Sequence, residues 1–269
     1  MFPIWINSAI ELRENGLSYA KIGEVLNVDR KKVSYYLQEK GYCPSKNYKK
    51  PNKQNQPNKK YVNETIFENI DTEEKAYWLG FMYADGCVAR TSNRIELSLK
   101  ESDYNHLIKF KNFLESEHVI GKKIKTIKDK TYISYRLGIT SEKMKNDLIK
   151  HGCIPNKTKK LIFPKLDKKL IKHFIRGYLD GDGCITHQAT SKLSLEILGT
   201  ESFLRSILNY YNFPKDKYIY KFKHSDIKRL MLSGKNAFKV IDDLYKDSNI
   251  YLDRKFKLYN KFAPLFREK

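Results

Sequence analysis

The chain has 269 residues, 41% hydrophobic and 13% aromatic, which supports a folded core and excludes a disordered protein. Lysine and arginine (52) outnumber aspartate and glutamate (31), so the formal net charge is +21. This excess favours a nucleic-acid partner over a merely lysine-rich or ribosome-associated protein, and over a membrane-surface protein. No segment predicts a signal peptide, a membrane span or a Cys-x-x-Cys metal site. We therefore expect a protein with reduced thiols that is not secreted and is cytoplasmic, in a bacterial or phage-infected cell, or organellar.

Residues 1–45 are predicted to form a small all-α domain. Ser18 and Asp29 are suitable N-cap residues for two short helices joined by a tight turn. The pattern resembles the helix-turn-helix of site-specific recombinases and bacterial repressors, although a generic helical hairpin would look similar. The resemblance implies that the second helix contacts DNA through its outward side chains, among them Arg30, Lys31, Lys32 and Tyr35.

Residues 46–62 are predicted to be a basic linker. Lysines alternate there with asparagine, glutamine and two prolines, and no acidic residue lies between Lys46 and Lys60. Such a segment is either an inert tether or an extended strand of positive charge that follows a DNA groove.

Two nonapeptides of similar sequence, 78–86 (WLGFMYADG) and 175–183 (IRGYLDGDG), follow the linker. Each carries small residues four apart, Gly80 with Ala84 and Gly177 with Gly181, which lie on one helix face and allow two backbones to approach closely. Two such helices in contact would bring Asp85 and Asp182 together at one end. Both carboxylates would then lie at negative helix ends and repel each other, so a cation is expected between them. The simpler alternative, a helix-ending Asp-Gly turn, explains one copy better than two.

The pattern of predicted elements also recurs, in residues 63–166 and 167–269. Each half predicts helix–strand–strand–helix–strand–strand–helix, with strict alternation of apolar and polar residues in its second strand. The predicted fold class is therefore α+β, with two pseudo-symmetric αββαββα halves whose antiparallel sheets form a DNA-binding saddle. Arg94, Lys100 and Lys192 are predicted on its exposed face.

The two nonapeptides, together with the Ile-Pro-Asn-Lys-Thr run at 154–158, resemble the motif of LAGLIDADG homing endonucleases in their single-chain form. The resemblance extends from Glu64 to the C-terminus, and it departs at Trp78 and at Tyr83, which replaces the first acidic residue. It implies a monomeric enzyme that binds a long asymmetric site in double-stranded DNA. Such an enzyme cuts both strands across the minor groove, leaving short 3′ overhangs, with a divalent metal, usually Mg²⁺, held by Asp85 and Asp182.

The same resemblance implies a catalytic lysine near the end of the last strand of each half, for which Lys235 and Lys143 are the candidates. Asn156-Lys157 and Arg254-Lys255 recur 98 residues apart (255 minus 157), so Lys157 and Lys255 are predicted to contact backbone phosphates. Arg136 and Arg229, on the fourth strands, are further DNA-binding candidates.

The leading hypothesis is a site-specific DNA endonuclease, free-standing or intron-encoded, whose helix-turn-helix extends the recognised site. A regulator that binds DNA without cutting it and an RNA maturase on the same scaffold remain as alternatives. Tyr83 differs from Asp180, and Glu142 differs from Lys235, so we expect two non-identical active sites that cut the two strands at different rates.

Overall fold

The computed structural model describes residues 2–41, 60–186, 193–214, 217–223 and 225–267. These ranges contain ten α-helices and eight β-strands. None of those helices has both the length and the apolar character needed to cross a bilayer. The chain divides into two compact units, residues 1–59 and 60–269.

The small unit contains three helices, α1 (Ile6–Glu14), α2 (Tyr19–Leu26) and α3 (Arg30–Glu39). The Ser18 hydroxyl accepts a hydrogen bond from the Lys21 N–H, and the Asp29 carboxylate accepts from the N–H groups of Lys31 and Lys32. The two N-caps that the sequence predicts are thus present. Asn27, with φ of 50°, ends α2 in the left-handed region, and the chain turns directly into α3. The residues of the predicted linker before Lys60 lie outside the described ranges.

The large unit consists of two halves that share the order helix–strand–strand–helix–strand–strand–helix, and the second half has one further helix. The first half contains α4 (Glu73–Ala84), β1 (Gly86–Val88), β2 (Arg94–Lys100), α5 (Tyr104–Phe113), β3 (Gly121–Ile127), β4 (Lys130–Thr140) and α6 (Glu142–Lys150). The second contains α7 (Lys168–Asp182), β5 (Cys184–Thr186), β6 (Ser194–Gly199), α8 (Glu201–Tyr210), β7 (Ile219–Lys221), β8 (Lys228–Ser233), α9 (Gly234–Tyr245) and α10 (Asp253–Arg267). The predicted α+β class with two αββαββα halves is confirmed, whereas α10 has no counterpart in the prediction.

Each half forms one antiparallel sheet, with strand order β1-β2-β4-β3 in the first and β5-β6-β8-β7 in the second. In β2, side chains at 95, 97 and 99 are buried while Arg94, Ser98 and Lys100 are exposed, as the alternation predicts. The registers correspond closely, because Cys87 lies opposite Glu96 and Cys184 lies opposite Glu196. Each sheet therefore covers the core with one face and leaves polar side chains on the other.

Helices α4 and α7 cross where the small residues of the two nonapeptides lie. A Cβ atom added to Gly80 would be 2.1 Å from the Phe174 carbonyl oxygen, and one added to Gly177 would be 1.9 Å from the Tyr77 carbonyl oxygen. Further along, a Cβ on Gly181 would be 2.3 Å from the Ala84 Cβ. Only glycine permits contacts this close between backbones. The crossing fixes the ends of both helices relative to each other.

Candidate active site

Asp85 and Asp182 lie at adjacent C-terminal ends of the crossed helices. Asp85 is the C-cap residue of α4, and Asp182 is the last residue of α7. A Cβ on Gly181, one residue before Asp182, would be 3.5 Å from Asp85 Oδ2. The crossing of the helices therefore brings the two motif carboxylates to one place, although 97 residues separate them in the sequence (182 minus 85).

Electrostatics at this place disfavour two bare carboxylates. Burial raises the pKa of Asp85 to about 6, and the neighbouring Asp182 charge acts in the same direction, while Lys255 and Lys157 oppose it. Burial also raises the pKa of Asp182, against the charges of Lys157 and Lys255. Both side chains nevertheless keep access to solvent. Surrounding protein thus desolvates the carboxylates partially and leaves their oxygens open to a ligand.

Two lysines complete the cluster. Lys157 Nζ donates a hydrogen bond to the carbonyl of Gly86, the residue after Asp85. Lys255 Nζ donates to the carbonyl of Gly183, the residue after Asp182, at 2.6 Å. The two contacts are pseudo-equivalent, and they place a cation at the carbonyl end of each motif helix, where it offsets the negative end of the dipole. Asp85, Asp182, Lys157 and Lys255 are called the four-charge cluster below.

The sequence predicts that both lysines contact backbone phosphates near the active centre, and the structure places both at the ends of the motif helices. Lys255 is only 3% exposed, so it lies in the interior rather than on an open DNA-binding surface. The feature of the sequence that points to these two lysines is the recurrence of the Asn-Lys and Arg-Lys pairs 98 residues apart. It could not reveal that each lysine folds back onto the end of its motif helix, because that contact joins segments more than 70 residues apart.

Lys143 and Lys235, the catalytic lysines expected from the resemblance, lie elsewhere, and the strand order explains why. Strand β2 lies between β1 and β4 and is antiparallel to both, so β1 and β4 run in the same direction. The end of β4 is therefore on the side of the sheet where β1 ends, remote from Asp85. The same holds for β8 and β5 in the second half. Lys143 forms ion pairs with Glu68 at 3.0 Å and with Asp147 at 2.8 Å. Lys235 is exposed in the first turn of α9.

A buried network centred on Asp180 lies behind the cluster. Its carboxylate accepts hydrogen bonds from the hydroxyls of Tyr77 at 2.8 Å and Tyr245 at 2.6 Å, and from the Leu252 N–H at 2.8 Å. Tyr77 belongs to the first half and the other two to the second. The network therefore joins the halves and holds the segment that leads into Lys255. Sequence reasoning noted Asp180 only as a difference from Tyr83.

Tyr83 occupies the position in the first half that Asp180 occupies in the second, and it donates a hydrogen bond where Asp180 accepts three. Its hydroxyl donates to the His151 carbonyl at 2.7 Å and lies directly against Gly152, where an added Cβ would be 2.1 Å away. Gly152 also has a φ of 93°, which favours glycine at this position. In this half a single neutral hydroxyl anchors the segment before Lys157.

The other predicted contact residues within the described ranges lie on the sheet faces or on α3. Arg94 pairs with Glu96 at 2.7 Å, and Arg229 lies 3.6 Å from Glu196 with its guanidinium over the Tyr220 and Phe222 rings. Lys100 and Arg136 are exposed on the first sheet, whereas Lys192 lies outside the described residues. Arg30, Lys31, Lys32 and Tyr35 are all exposed on α3 of the small unit.

The Asp85 and Asp182 carboxylates have the chemistry of magnesium ligands. Among the described residues, no group of three or more His, Cys, Asp and Glu side chains is placed to hold a metal. Mg²⁺ does not need such a cage, because it is commonly bound by one or two carboxylates and completes its shell with water and phosphate oxygens. Two solvent-accessible carboxylates that repel each other fit this type of site.

No protein-family model matches the chain. No curated protein matches it either. Similar solved structures include the LAGLIDADG meganuclease I-AabMI bound to uncleaved DNA, at 13% identity and a TM-score of 0.47, covering 71% of this chain and 89% of that one. The meganuclease I-SmaMI bound to uncleavable DNA has 13% identity and a TM-score of 0.48, with coverage of 74% and 93%. The homing endonuclease I-LtrWI bound to target DNA has 15% identity and a TM-score of 0.47, with coverage of 73% and 91%.

A further similar structure is full-length DUF199/WhiA from Thermatoga maritima, at 17% identity and a TM-score of 0.46, covering 75% of this chain and 64% of that one. At such low identities the likeness concerns the fold and carries nothing about activity.

Proposed function

We propose that this protein is a site-specific DNA endonuclease that hydrolyses phosphodiester bonds with Mg²⁺ held by Asp85 and Asp182. The four-charge cluster is the observation that supports the proposal most strongly. It combines two solvent-accessible carboxylates and two ammonium groups at the meeting point of two pseudo-symmetric halves. A pseudo-twofold site matches a duplex, whose two strands are themselves related by a twofold axis.

In the reaction, water attacks phosphorus, the bond to the 3′ oxygen breaks, and that oxygen takes a proton. The Asp85 and Asp182 oxygens would bind the metal, which supplies charge neutralisation on the phosphate and activation of the water. The lysines contribute fixed positive charge beside the carboxylates, where negative charge develops on the transferred phosphoryl group. The crossed helices fix the positions of Asp85 and Asp182 relative to each other, since close backbone contacts join the two helices.

Basic side chains on the sheet faces and on α3 support a DNA partner. Arg94, Lys100 and Arg136 in the first half and Arg229 in the second are directed away from the core, alongside a net charge of +21. Phosphates neutralise such a surface and release counterions, so binding should weaken steeply with salt. The two halves carry different side chains, so the proposed target is a long asymmetric duplex bound by one monomer.

The proposal is tested on duplexes that the full-length protein selects by binding from a randomised library. With Mg²⁺ present, we expect cleavage of both strands, and Asp85→Asn or Asp182→Asn should slow it by at least about 100-fold with binding retained. Asp71→Asn is a matched control, because Asp71 lies just before the opposite end of α4 and pairs only with Lys75 among the described residues. It should leave the rate unchanged.

Other outcomes separate the alternatives. Tight binding of duplex DNA without cleavage under any divalent metal would contradict the enzyme proposal and favour a regulator. Selection of structured RNA in preference to duplex DNA would favour a maturase.

The helix-turn-helix role has its own test. Replacing Lys31 and Lys32 of α3 by alanine should shorten the nuclease-protected region at one end and reduce the salt slope by about two, one for each lost phosphate contact. Lys21→Ala on α2 is the control, because Lys21 is also exposed but pairs with Glu24 at 2.7 Å. An unchanged footprint in the double variant would reject the role.

A further inference from the structure

The outward faces of the two sheets carry one equivalent arginine with different neighbours. Arg136 lies opposite Ser98 in the first sheet, and Arg229 lies opposite Leu198 in the second. The residue after each arginine is a buried leucine, so both arginines lie on the sheet face that is turned away from the core. The two halves therefore place the same side chain at the same point of the sheet, beside a small polar residue in one and a large apolar residue in the other.

The edge strand of each sheet adds to this difference. Gly121 of β3 lies opposite Arg136 and contributes no side chain, whereas Tyr220 of β7 lies opposite Arg229. The Arg229 guanidinium is 5.7 Å from the centre of the Tyr220 ring and 5.6 Å from that of Phe222. The first arginine thus has small neighbours on both sides, and the second lies against two aromatic rings.

The equivalent glutamates Glu96 and Glu196 take different partners. In the first sheet Glu96 pairs at 2.7 Å with Arg94, which lies two residues before it on the same strand. Ser194 occupies the position of Arg94 in the second sheet. Glu196 therefore has no arginine on its own strand, and it lies 3.6 Å from Arg229 of the neighbouring strand.

The two equivalent arginines consequently differ in what they can still bind. Arg136 is exposed, and the described part of the chain gives it no ion-pair partner. Its N–H donors are available for the O6 and N7 acceptors of guanine, the commonest specific arginine contact in DNA. The Arg229 side chain is 33% exposed and lies beside Glu196, and its Nε is buried without a hydrogen-bond partner among the described residues. It is enclosed by its neighbours and not directed outward.

The second sheet therefore presents an apolar surface beside its enclosed arginine. We call this surface the apolar patch, and it consists of Leu198, Tyr220 and Phe222, which are 41% to 43% exposed. Three exposed lysines lie on the segment that carries its rings, namely Lys217, Lys221 and Lys223. An apolar surface with positive charge beside it matches the major groove of DNA, where phosphates flank the base edges and the thymine C5 methyl is an apolar group.

We infer that the second sheet recognises thymine methyl groups through the apolar patch, whereas the first sheet recognises guanine through Arg136. The inference rests on the proposed DNA-binding function and goes beyond it by naming the bases that each half-site contains. The two halves of the target then differ in the chemistry of their readout, with apolar contacts in one and hydrogen bonds to a cation in the other.

The experiment uses modified bases in a duplex that the full-length protein selects from a randomised library. Binding is measured without divalent metal, so that both strands stay intact. Deoxyuridine in place of thymine removes only the C5 methyl group, and each replaced base that the apolar patch contacts should weaken binding about fourfold, in one half-site only. 7-Deazaguanine lacks the N7 acceptor and should weaken binding about tenfold at a guanine of the other half-site.

A variant of the apolar patch tests the assignment to these side chains. Leu198→Ser combined with Phe222→Ser should bind the thymine and deoxyuridine duplexes equally, and it should still discriminate against 7-deazaguanine. Leu265→Ser is the matched control, because Leu265 is 51% exposed on α10 and lies outside both sheets. This control should retain the preference of wild type for thymine.

The equivalent arginines provide a second comparison. Arg136→Met should lose discrimination against 7-deazaguanine, because it removes the donors that face the base. Arg229→Met should keep that discrimination, since its guanidinium is already beside Glu196 and the two rings. If any variant fails to fold, the modified-base measurements on wild type decide the matter, because they alter only the DNA.

Three results would overturn the inference and leave the endonuclease proposal standing. The first is a selected target without thymine in either half-site, or one in which deoxyuridine weakens binding equally in both halves or in neither. The second is a thymine preference that persists in the Leu198 and Phe222 double variant. The third is loss of discrimination against 7-deazaguanine in Arg229→Met. A wild-type protein that selects no duplex at all would instead contradict the proposed function itself.

Discussion

The two halves of the large unit share packing and differ in chemistry. At the helix crossing they are nearly interchangeable, because Gly80 meets the Phe174 carbonyl as Gly177 meets the Tyr77 carbonyl. Three residues beyond each glycine the equivalence ends, since Tyr83 binds a backbone carbonyl while Asp180 gathers two hydroxyls and an N–H group. A duplicated fold thus needs symmetry where two backbones touch, and it tolerates divergence where side chains only anchor a neighbouring segment.

The largest loss of stability is expected from substitutions at the crossing of α4 and α7, and the loss should be equal in the two halves. Gly80→Ala and Gly177→Ala each place a methyl group about 2 Å from a backbone oxygen that cannot rotate away. Each should lower the free energy of unfolding by about 3 kcal/mol or more, and the large unit should lose solubility or fold incompletely. Urea denaturation measures the change.

Gly121→Ala in β3 is the control for this prediction. Its added Cβ would meet its nearest neighbour, an Arg136 side-chain atom, at an ordinary 3.8 Å. A large difference between the Gly80 and Gly177 variants would show that the crossing is not pseudo-symmetric in energy.

The next largest loss of stability should differ between the two halves, because the anchors Asp180 and Tyr83 make different numbers of hydrogen bonds. Asp180→Asn replaces one of two accepting oxygens by an NH₂ group, which faces at least one of the three donors and cannot accept from it, so we expect a loss of about 2–4 kcal/mol. Tyr83→Phe removes one hydrogen bond to a carbonyl and should cost about 1 kcal/mol. Equal losses in urea denaturation would contradict the distinction between the two anchors.

The smallest effect is the dependence of stability on pH that arises from Asp85 and Asp182, and it should have the same sign for both residues. The folded-state pKa of Asp85 is about 6, above its ordinary value of 3.8, so folding favours the protonated form. Its contribution to stability is therefore lost as pH rises from about 4 through 6, and below pH 4 both states are protonated. Without divalent metal, Asp85→Asn should be more stable than wild type at pH 7.5 by on the order of 1 kcal/mol, after allowance for solvent exposure.

Melting temperatures between pH 4 and 8 test this, and the advantage of the variant should vanish at the acid end. Asp182→Asn should behave alike, because burial raises its pKa too. Adding Mg²⁺ at pH 7.5 should raise the melting temperature of wild type more than that of either variant. A wild type that is more stable than Asp85→Asn at pH 7.5 without metal would contradict the repulsion argument.

Much of the fold was predictable because its signals are local. Strand β2 follows from strict alternation over Arg94–Lys100, and Ser18 and Asp29 cap helices through side-chain bonds to N–H groups two or three residues away. Helix α10 was missed because Pro264 lies within it and its apolar residues alternate with lysines. Lys143 and Lys235 follow the last strand of each sheet, and the sheet order places the ends of those strands away from Asp85 and Asp182.

By itself the sequence determined the duplication, the class of fold, the crossing of two small-residue helices and the meeting of Asp85 with Asp182. All of these follow from periodicity and spacing within about ten residues, repeated once. The sheet order, the return of Lys157 and Lys255 to the helix ends and the burial of Asp180 were decided only by the tertiary structure. The sheet order depends on the pairing of strands that are not consecutive in the sequence. The lysine contacts and the burial of Asp180 depend on segments 65 or more residues apart, and no local pattern specifies which of many lysines will make such contacts.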